Sequence, residues 1–287
     1  MEASVAPWPS VRSALSQLID YAGLFPPAKL AIADAWAEYS RARATPYSWI
    51  LGRFIIPAPL LLELSERPGG AFSVIAGGLE LDRVATLRAH GVAVEALEIP
   101  PVTGVTAVEA PAKDVAAAGL ADLPVYVEIS RAHSDLPGAM QALSRARLGA
   151  KLRCGGLTAD AFPSVHEVGA FIAAASAAGV AYKATAGLHH PVRHVDAATG
   201  FHMHGFLNLL TAAAIAPRAD RALLERIVAE EDPAAFRFEE SSLRWRDERI
   251  ETRELAHARE AAFIAYGSCS FSEPIDDLTA LGILGAP

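Results

Sequence analysis

Two short apolar runs, each carrying a lysine four residues ahead of a glycine, constrain this chain more than any other feature. They are GAKLRCGG at 149–156, with Lys151 and Gly155, and GVAYKATAGLHHP at 179–191, with Lys183 and Gly187. Between them, residues 162–179 place apolar side chains at helical spacing and end on Gly179, which fits a helix C-cap. The unit reads as strand, helix, strand, with a lysine near the C-terminal end of each strand. In a parallel barrel that end carries the chemistry. Side chains alternate along a strand, so Lys151 and Arg153 share one face. Cations converging on one cavity are costly unless an anion, a carboxylate or a neutralised lysine relieves them.

The rest of the chain repeats the alternation. Strand signals fall at 18–25, 49–57, 72–78, 92–100, 124–130 and 261–271, beside the organising pair. Helical periodicity marks 11–18, 30–43, 60–67, 79–91, 107–120, 135–147, 204–216 with an extension over 219–230, 251–260 and 273–282. Residues 236–250 alternate like a hairpin, with Ser241-Ser242 near its turn. Strands alternating with helices at this pace mean parallel βαβ units. The expected architecture is a single α/β domain over 1–287. It is a (β/α)8 TIM barrel with an α-helical and hairpin insertion between strands seven and eight. A length of 287 residues suits that fold.

Composition narrows the function. A net charge of −8 argues against a nucleic-acid or membrane-surface partner. No uninterrupted apolar run reaches about 18 residues, so no membrane span is expected. The first 21 residues lack a basic region followed by an apolar core, so no signal peptide is expected. Two cysteines, Cys154 and Cys269, make no disulfide framework. The expectation is a cytoplasmic protein acting on a small molecule; assembly into a homo-oligomer is left open.

With the strands in order, the chain resembles the deoxyribose-phosphate aldolase family. LIDYAGLFPPA at 18–28 is similar to that family's first strand, IDHTLLKP. KLRCG at 151–155 resembles its sixth-strand KTSTG, and KATAG at 183–187 its seventh-strand KASGG. GSCS at 267–270 resembles its GTSS phosphate loop. The resemblance spans most of the chain and implies a class I aldolase-like lyase without a cofactor. Lys151 would then form the Schiff base, and Lys183 would be the second lysine. The family's fourth-strand aspartate is replaced by Glu98 or Glu95. The histidine-rich segments at 189–194 and 202–208 and the 236–250 hairpin have no counterpart in the family pattern.

The residues support chemistry on their own terms. A lysine attacks a carbonyl only when neutral, and desolvation with a neighbouring cation favours that form. Both lysines can equally serve as point charges for an anion, or as members of buried ion pairs. Asp20, Glu98 and Glu128 lie on strands and can hold a water and relay a proton. Arg153, Gly155, Gly187 and the Gly267-Ser268-Cys269-Ser270 turn would hold an anionic or phosphorylated carbonyl substrate. Ser270 also suits ordinary helix capping. His189 and His190 are read as substrate-binding or acid–base groups, and His204 as facing the mouth. His202 is read as a plain surface histidine. An alternative is a metal-dependent hydrolase or decarboxylase using His189, His190 and His204. Adjacent histidines diverge on a strand and no HExxH spacing occurs, so no metal is expected. The cysteines read as small fillers.

Overall fold

The computed structural model describes residues 7–63, 69–102, 105–130 and 133–285. The strands before the insertion are β1 (Ile19–Tyr21), β2 (Leu51–Pro57), β3 (Phe72–Ile75), β4 (Val94–Val102), β5 (Val125–Ile129), β6 (Gly149–Arg153) and β7 (Tyr182–Thr185). The insertion carries β8 (His194–Val195) and β9 (His202–Met203), then β10 (Phe236–Glu239), β11 (Ser242–Trp245) and β12 (Glu248–Glu251). The chain then returns as β13 (Phe263–Ser268). Strands β1–β7 and β13 close one parallel barrel in the order β1-β13-β7-β6-β5-β4-β3-β2. This is the (β/α)8 architecture expected from the alternation.

The helices are α1 (Pro9–Leu15), α2 (Ile32–Arg43), α3 (Ala58–Glu63), α4 (Glu80–Ala89), α5 (Val105–Ala117), α6 (Leu136–Ala146), α7 (Val165–Ala178), α8 (Phe206–Ile215), α9 (Arg221–Val228), α10 (Thr252–Ala261) and α11 (Ser272–Ala280). The expected continuation of α3 to residue 67 lies outside the described residues, as does the start of the leader reading at 1–6. Helix α7 starts on a capping box, Ser164 with Glu167, and stops on Gly179 at φ 63°. The Gly179 stop is the one expected from the sequence.

The strands are apolar on their outer faces because helices cover them. Outside β1–β3, Tyr21, Phe54 and Phe72 pack with Trp36 and Tyr39 of α2, with neighbouring ring centroids 5.4–6.1 Å apart. Each such side chain taken from water contributes roughly 1.5–3 kcal/mol. Helix α8 is buried along its whole length. It packs between α7, α9 and α10, which explains why its sequence is apolar all round.

The insertion differs from the sequence reading in three ways. The 219–230 segment expected to extend the 204–216 helix is instead a separate helix, α9, set off by a 3-10 turn at Ala216–Arg218, where Pro217 cannot continue the α8 ladder. Residues 236–251 form a three-stranded antiparallel sheet, not a hairpin, with turns at 240–241 and 246–247. Residues 194–195 and 202–203 pair as a small ribbon. The three-stranded sheet and α1 pack against α10 beside the N-terminal end of the barrel. There the buried Arg259 side chain donates to the carbonyls of Ser16, Phe263 and Ile264.

Candidate active site

Register brings the charged residues together. Glu128 of β5 lies beside Lys151 of β6, which lies beside Lys183 of β7. Their neighbours Ala150, Leu152 and Ala184 face the helices, so the three charges face the barrel axis. Asp20 of β1, Ser73 of β3 and Glu98 of β4 enter the same space, and all six are buried.

The polar contacts form one chain across the barrel. Lys183 Nζ lies 2.6 Å from Asp20 Oδ2, 2.5 Å from Glu98 Oε1 and 3.1 Å from Ser73 Oγ. Ser73 donates its hydroxyl to Glu98 Oε1 at 2.8 Å. Lys151 Nζ sits 3.0 Å from Glu98 Oε2 and 3.1 Å from Glu128 Oε2. Arg153 Nε donates to Glu128 Oε1 at 2.9 Å. Asp20 is fixed from its other side by the backbone N–H of Arg53 at 2.6 Å. Three cations therefore meet three carboxylates, and the cluster is neutral as a whole. The lysines lie deeper than the sequence suggested. Lys151 is the third residue of five in β6, and Lys183 the second of four in β7. Arg153 is the member at the mouth, with its side chain 48% exposed. Glu95 is not in the cluster; it pairs with Arg53 at 3.3 Å.

These surroundings set the charge states. Burial pushes the Glu98 carboxyl upward, but the ammonium groups of Lys183 and Lys151 outweigh it and hold it at about 2. Burial pushes Lys183 downward, but Asp20 and Glu98 outweigh it and raise the ammonium above its ordinary 10.5. Glu98 therefore stabilises the fold fully above its ordinary 4.5, and that contribution disappears as pH falls toward about 2. Lys183 contributes fully below 10.5, and its contribution is lost as pH rises beyond that value.

His204 adds an acid limb that begins earlier. It is fully buried, with Nε2 2.7 Å from the Pro163 carbonyl and Nδ1 3.4 Å from Arg193 Nη1. Burial lowers it from 6.5 to about 4. Between those values the unfolded chain takes up a proton that the folded chain refuses. The urea midpoint is expected to hold level between pH 6.5 and 9.0 and to fall on either side, through His204 on the acid side and through the raised Cys154 and Cys269 thiols and then Lys183 on the alkaline side. A midpoint still unchanged at pH 4 would contradict these placements.

The glycines after each lysine serve close approach. Ala186 and Gly187 have φ of 62° and 66°. A Cβ on Gly187 would stand 2.9 Å from Phe162 and 3.0 Å from the Cys154 carbonyl, and one on Gly155 would meet Gly187 at 3.0 Å. The two loops thus pack glycine against glycine beneath Phe162. Gly187→Ala is expected to cost about 1–3 kcal/mol in denaturant unfolding, from the left-handed backbone and the crowding together.

The remaining candidates gather away from the lysines. His189 Nδ1 lies 3.0 Å from Glu273 Oε2, and His190 Nδ1 lies 2.6 Å from Asp277 Oδ2. Both carboxylates are on α11, so the histidines tie the β7 loop to that helix. His202 is largely exposed, and His204 does not face the mouth. Among the described residues, no group of three or more His, Cys, Asp or Glu side chains is placed to hold a metal ion. The three histidines of the metal alternative do not converge.

In the β13–α11 turn, Gly267 faces the barrel interior, where a Cβ would meet Ile55 at 3.0 Å. Ser268 donates to the Ser270 carbonyl at 2.6 Å, and Ser270 Oγ accepts the Glu273 N–H at 3.2 Å. Ser270 thus meets a first-turn N–H of its own helix, and Ser268 braces the turn before it. Both cysteines are free, and burial raises both thiols. Sequence reasoning missed Ser73, Glu273 and Asp277. A serine in an apolar strand and acids four apart on a helix carry no signal of their own.

Fold and cluster together define a (β/α)8 barrel with a buried, charge-balanced lysine–carboxylate centre. Comparison with family models, curated proteins and solved structures gives no match. Among the described residues, no helix is long and apolar enough to cross a membrane.

Proposed function

We propose that this chain is a carbon–carbon lyase that works through a Schiff base on Lys151, in the manner of the class I aldolases it resembles. The observation that carries this reading is an inequality between the lysines. An ammonium has three N–H donors. Those of Lys183 face three partners, Asp20, Glu98 and Ser73, and its side chain is 1% exposed. It is a fixed charge. Lys151 has two partners, both carboxylates, and lies directly below the mouth residue Arg153.

Lys151 can pass a proton to Glu128 and attack a carbonyl carbon as the neutral amine. The carbinolamine then loses water, its oxygen leaving with the proton returned by Glu128, and a protonated imine remains. Cleavage breaks the bond beyond the carbon next to the imine. A carboxylate removes the proton from the departing hydroxyl, and the electron pair moves onto the iminium nitrogen. The resulting enamine takes that proton back on carbon, and hydrolysis of the iminium releases the second product and restores Lys151. Lys183 and Asp20 hold Glu98 in place through these transfers. The substrate is a small anionic carbonyl compound. Two buried free thiols also suit a reducing cytoplasm.

The test is borohydride reduction in the presence of small aldehydes, keto acids and sugar phosphates, read by intact mass and peptide mapping. One adduct on Lys151 is expected. An adduct on Lys183 would reverse the assignment. No adduct with the turned-over substrate would end the Schiff-base reading.

A further inference from the structure

We infer that the substrate of this site is anchored by a carboxylate close to its reacting carbonyl, read by Arg153, and not by a distal phosphate in the β13–α11 turn. The inference rests on the Schiff-base reading and narrows it to 2-oxo acids and similarly short carboxylated carbonyl compounds.

The first observation is how Arg153 is held. Only its Nε is engaged, by Glu128 Oε1, and no described residue meets its two Nη groups. The side chain is 48% exposed at the mouth, so these donors are presented to an entering molecule. A guanidinium binds a carboxylate with two parallel N–H bonds. Glu128 also reports the span. Its two oxygens hold Lys151 Nζ at 3.1 Å and Arg153 Nε at 2.9 Å, so one carboxyl group bridges both cations. A molecule whose carbonyl carbon adjoins its carboxylate has similar reach: the carbon meets Lys151 while the carboxylate meets Arg153. Beneath Arg153 the two lysines are already engaged by Asp20, Glu98 and Glu128 and supply no surplus positive charge, so Arg153 is the anchoring cation.

The second observation is independent and concerns the turn where a phosphate would sit. A helix N-terminus binds phosphate when its N–H groups and hydroxyls are open. Here Ser268 is committed to the Ser270 carbonyl, and Ser270 accepts the Glu273 N–H and contacts Ser272 Oγ at 3.3 Å. The Glu273 carboxylate occupies the first turn of α11, with Asp277 one turn on. His189 and His190 are already paired to these two acids. A phosphate entering there meets two carboxylates and protein-satisfied hydroxyls.

The experiment measures the concentration dependence of borohydride labelling of Lys151 by pyruvate, acetaldehyde and glyceraldehyde 3-phosphate, in the intact chain and in Arg153→Ala. Pyruvate is expected to half-saturate at least about tenfold lower than the other two, as one charge-assisted pair supplies. In Arg153→Ala the preference for pyruvate over acetaldehyde is expected to vanish. Preference for the phosphorylated probe, or a pyruvate preference that survives in Arg153→Ala, overturns the inference. If no carbonyl labels Lys151, the Schiff-base reading fails, and the anchor is then judged by calorimetry with lactate, which has no carbonyl to react. Lactate binding that is tighter than inorganic phosphate and lost in Arg153→Ala supports the carboxylate anchor; any other result overturns it.

Discussion

Lys183→Met is expected to destabilise the folded chain by about 3–5 kcal/mol at neutral pH, the cost of leaving buried carboxylates without their counter-charge. Lys183 is the ammonium that Asp20 and Glu98 share, and both acids are fully or almost fully buried. Methionine fills much of the same volume, so the loss is one of charge and hydrogen bonds more than of packing. The pH dependence separates the two. Without Lys183, burial dominates at Glu98, its carboxyl rises, and it takes up a proton at a higher pH than in the parent chain. The gap between variant and parent is therefore expected to narrow from pH 7 to pH 4. Denaturant unfolding at the two values checks this. An equal gap at both would mean that lost packing explains the effect.

The second large effect is on chemistry. Lys151→Arg keeps a positive charge between Glu98 and Glu128 but cannot release it, because guanidinium stays protonated. Borohydride trapping is expected to disappear, and turnover of the true substrate to fall by about a thousandfold or more, as for loss of a covalent nucleophile. Unfolding measured alongside shows whether the charge alone satisfies its two partners. A variant that still traps carbonyl compounds would move the nucleophile to Lys183.

Much of this was legible before any coordinates. The apolar runs around Asp20, Glu128, Lys151 and Lys183 are too hydrophobic to be surface strands. Each carries one charge or, around Lys151, two, and a charge inside a buried strand needs a partner. Alternation then directs those charges to one side, and the βαβ pattern makes that side the barrel interior. What the runs could not show was depth. The sequence reading put a lysine near the C-terminal end of each strand, whereas Lys151 is the middle residue of β6 and Lys183 the second of four in β7. The compensation was also hidden, since Glu98 sits in a strand whose offset depends on a register shift between β3 and β4. His204 misled because a histidine opening an apolar helix looks the same whether it faces a mouth or, as here, a backbone carbonyl between two loops. The three-stranded sheet was mistaken for a hairpin because its second turn, at Arg246-Asp247, is only two residues long and lacks glycine or proline.

The alternating row of acids and bases also limits how such a protein can change over generations. It joins six barrel strands, and Ser73, Glu98, Glu128, Lys151 and Lys183 each answer to at least two others. A single substitution in the row strands a charge in the interior, so an altered specificity that needs a different centre is reached through a less stable intermediate. Substitutions that swap or delete an acid and a base together avoid that valley. Drift at this centre is therefore expected in coupled pairs, while the loops and the insertion outside it vary one residue at a time.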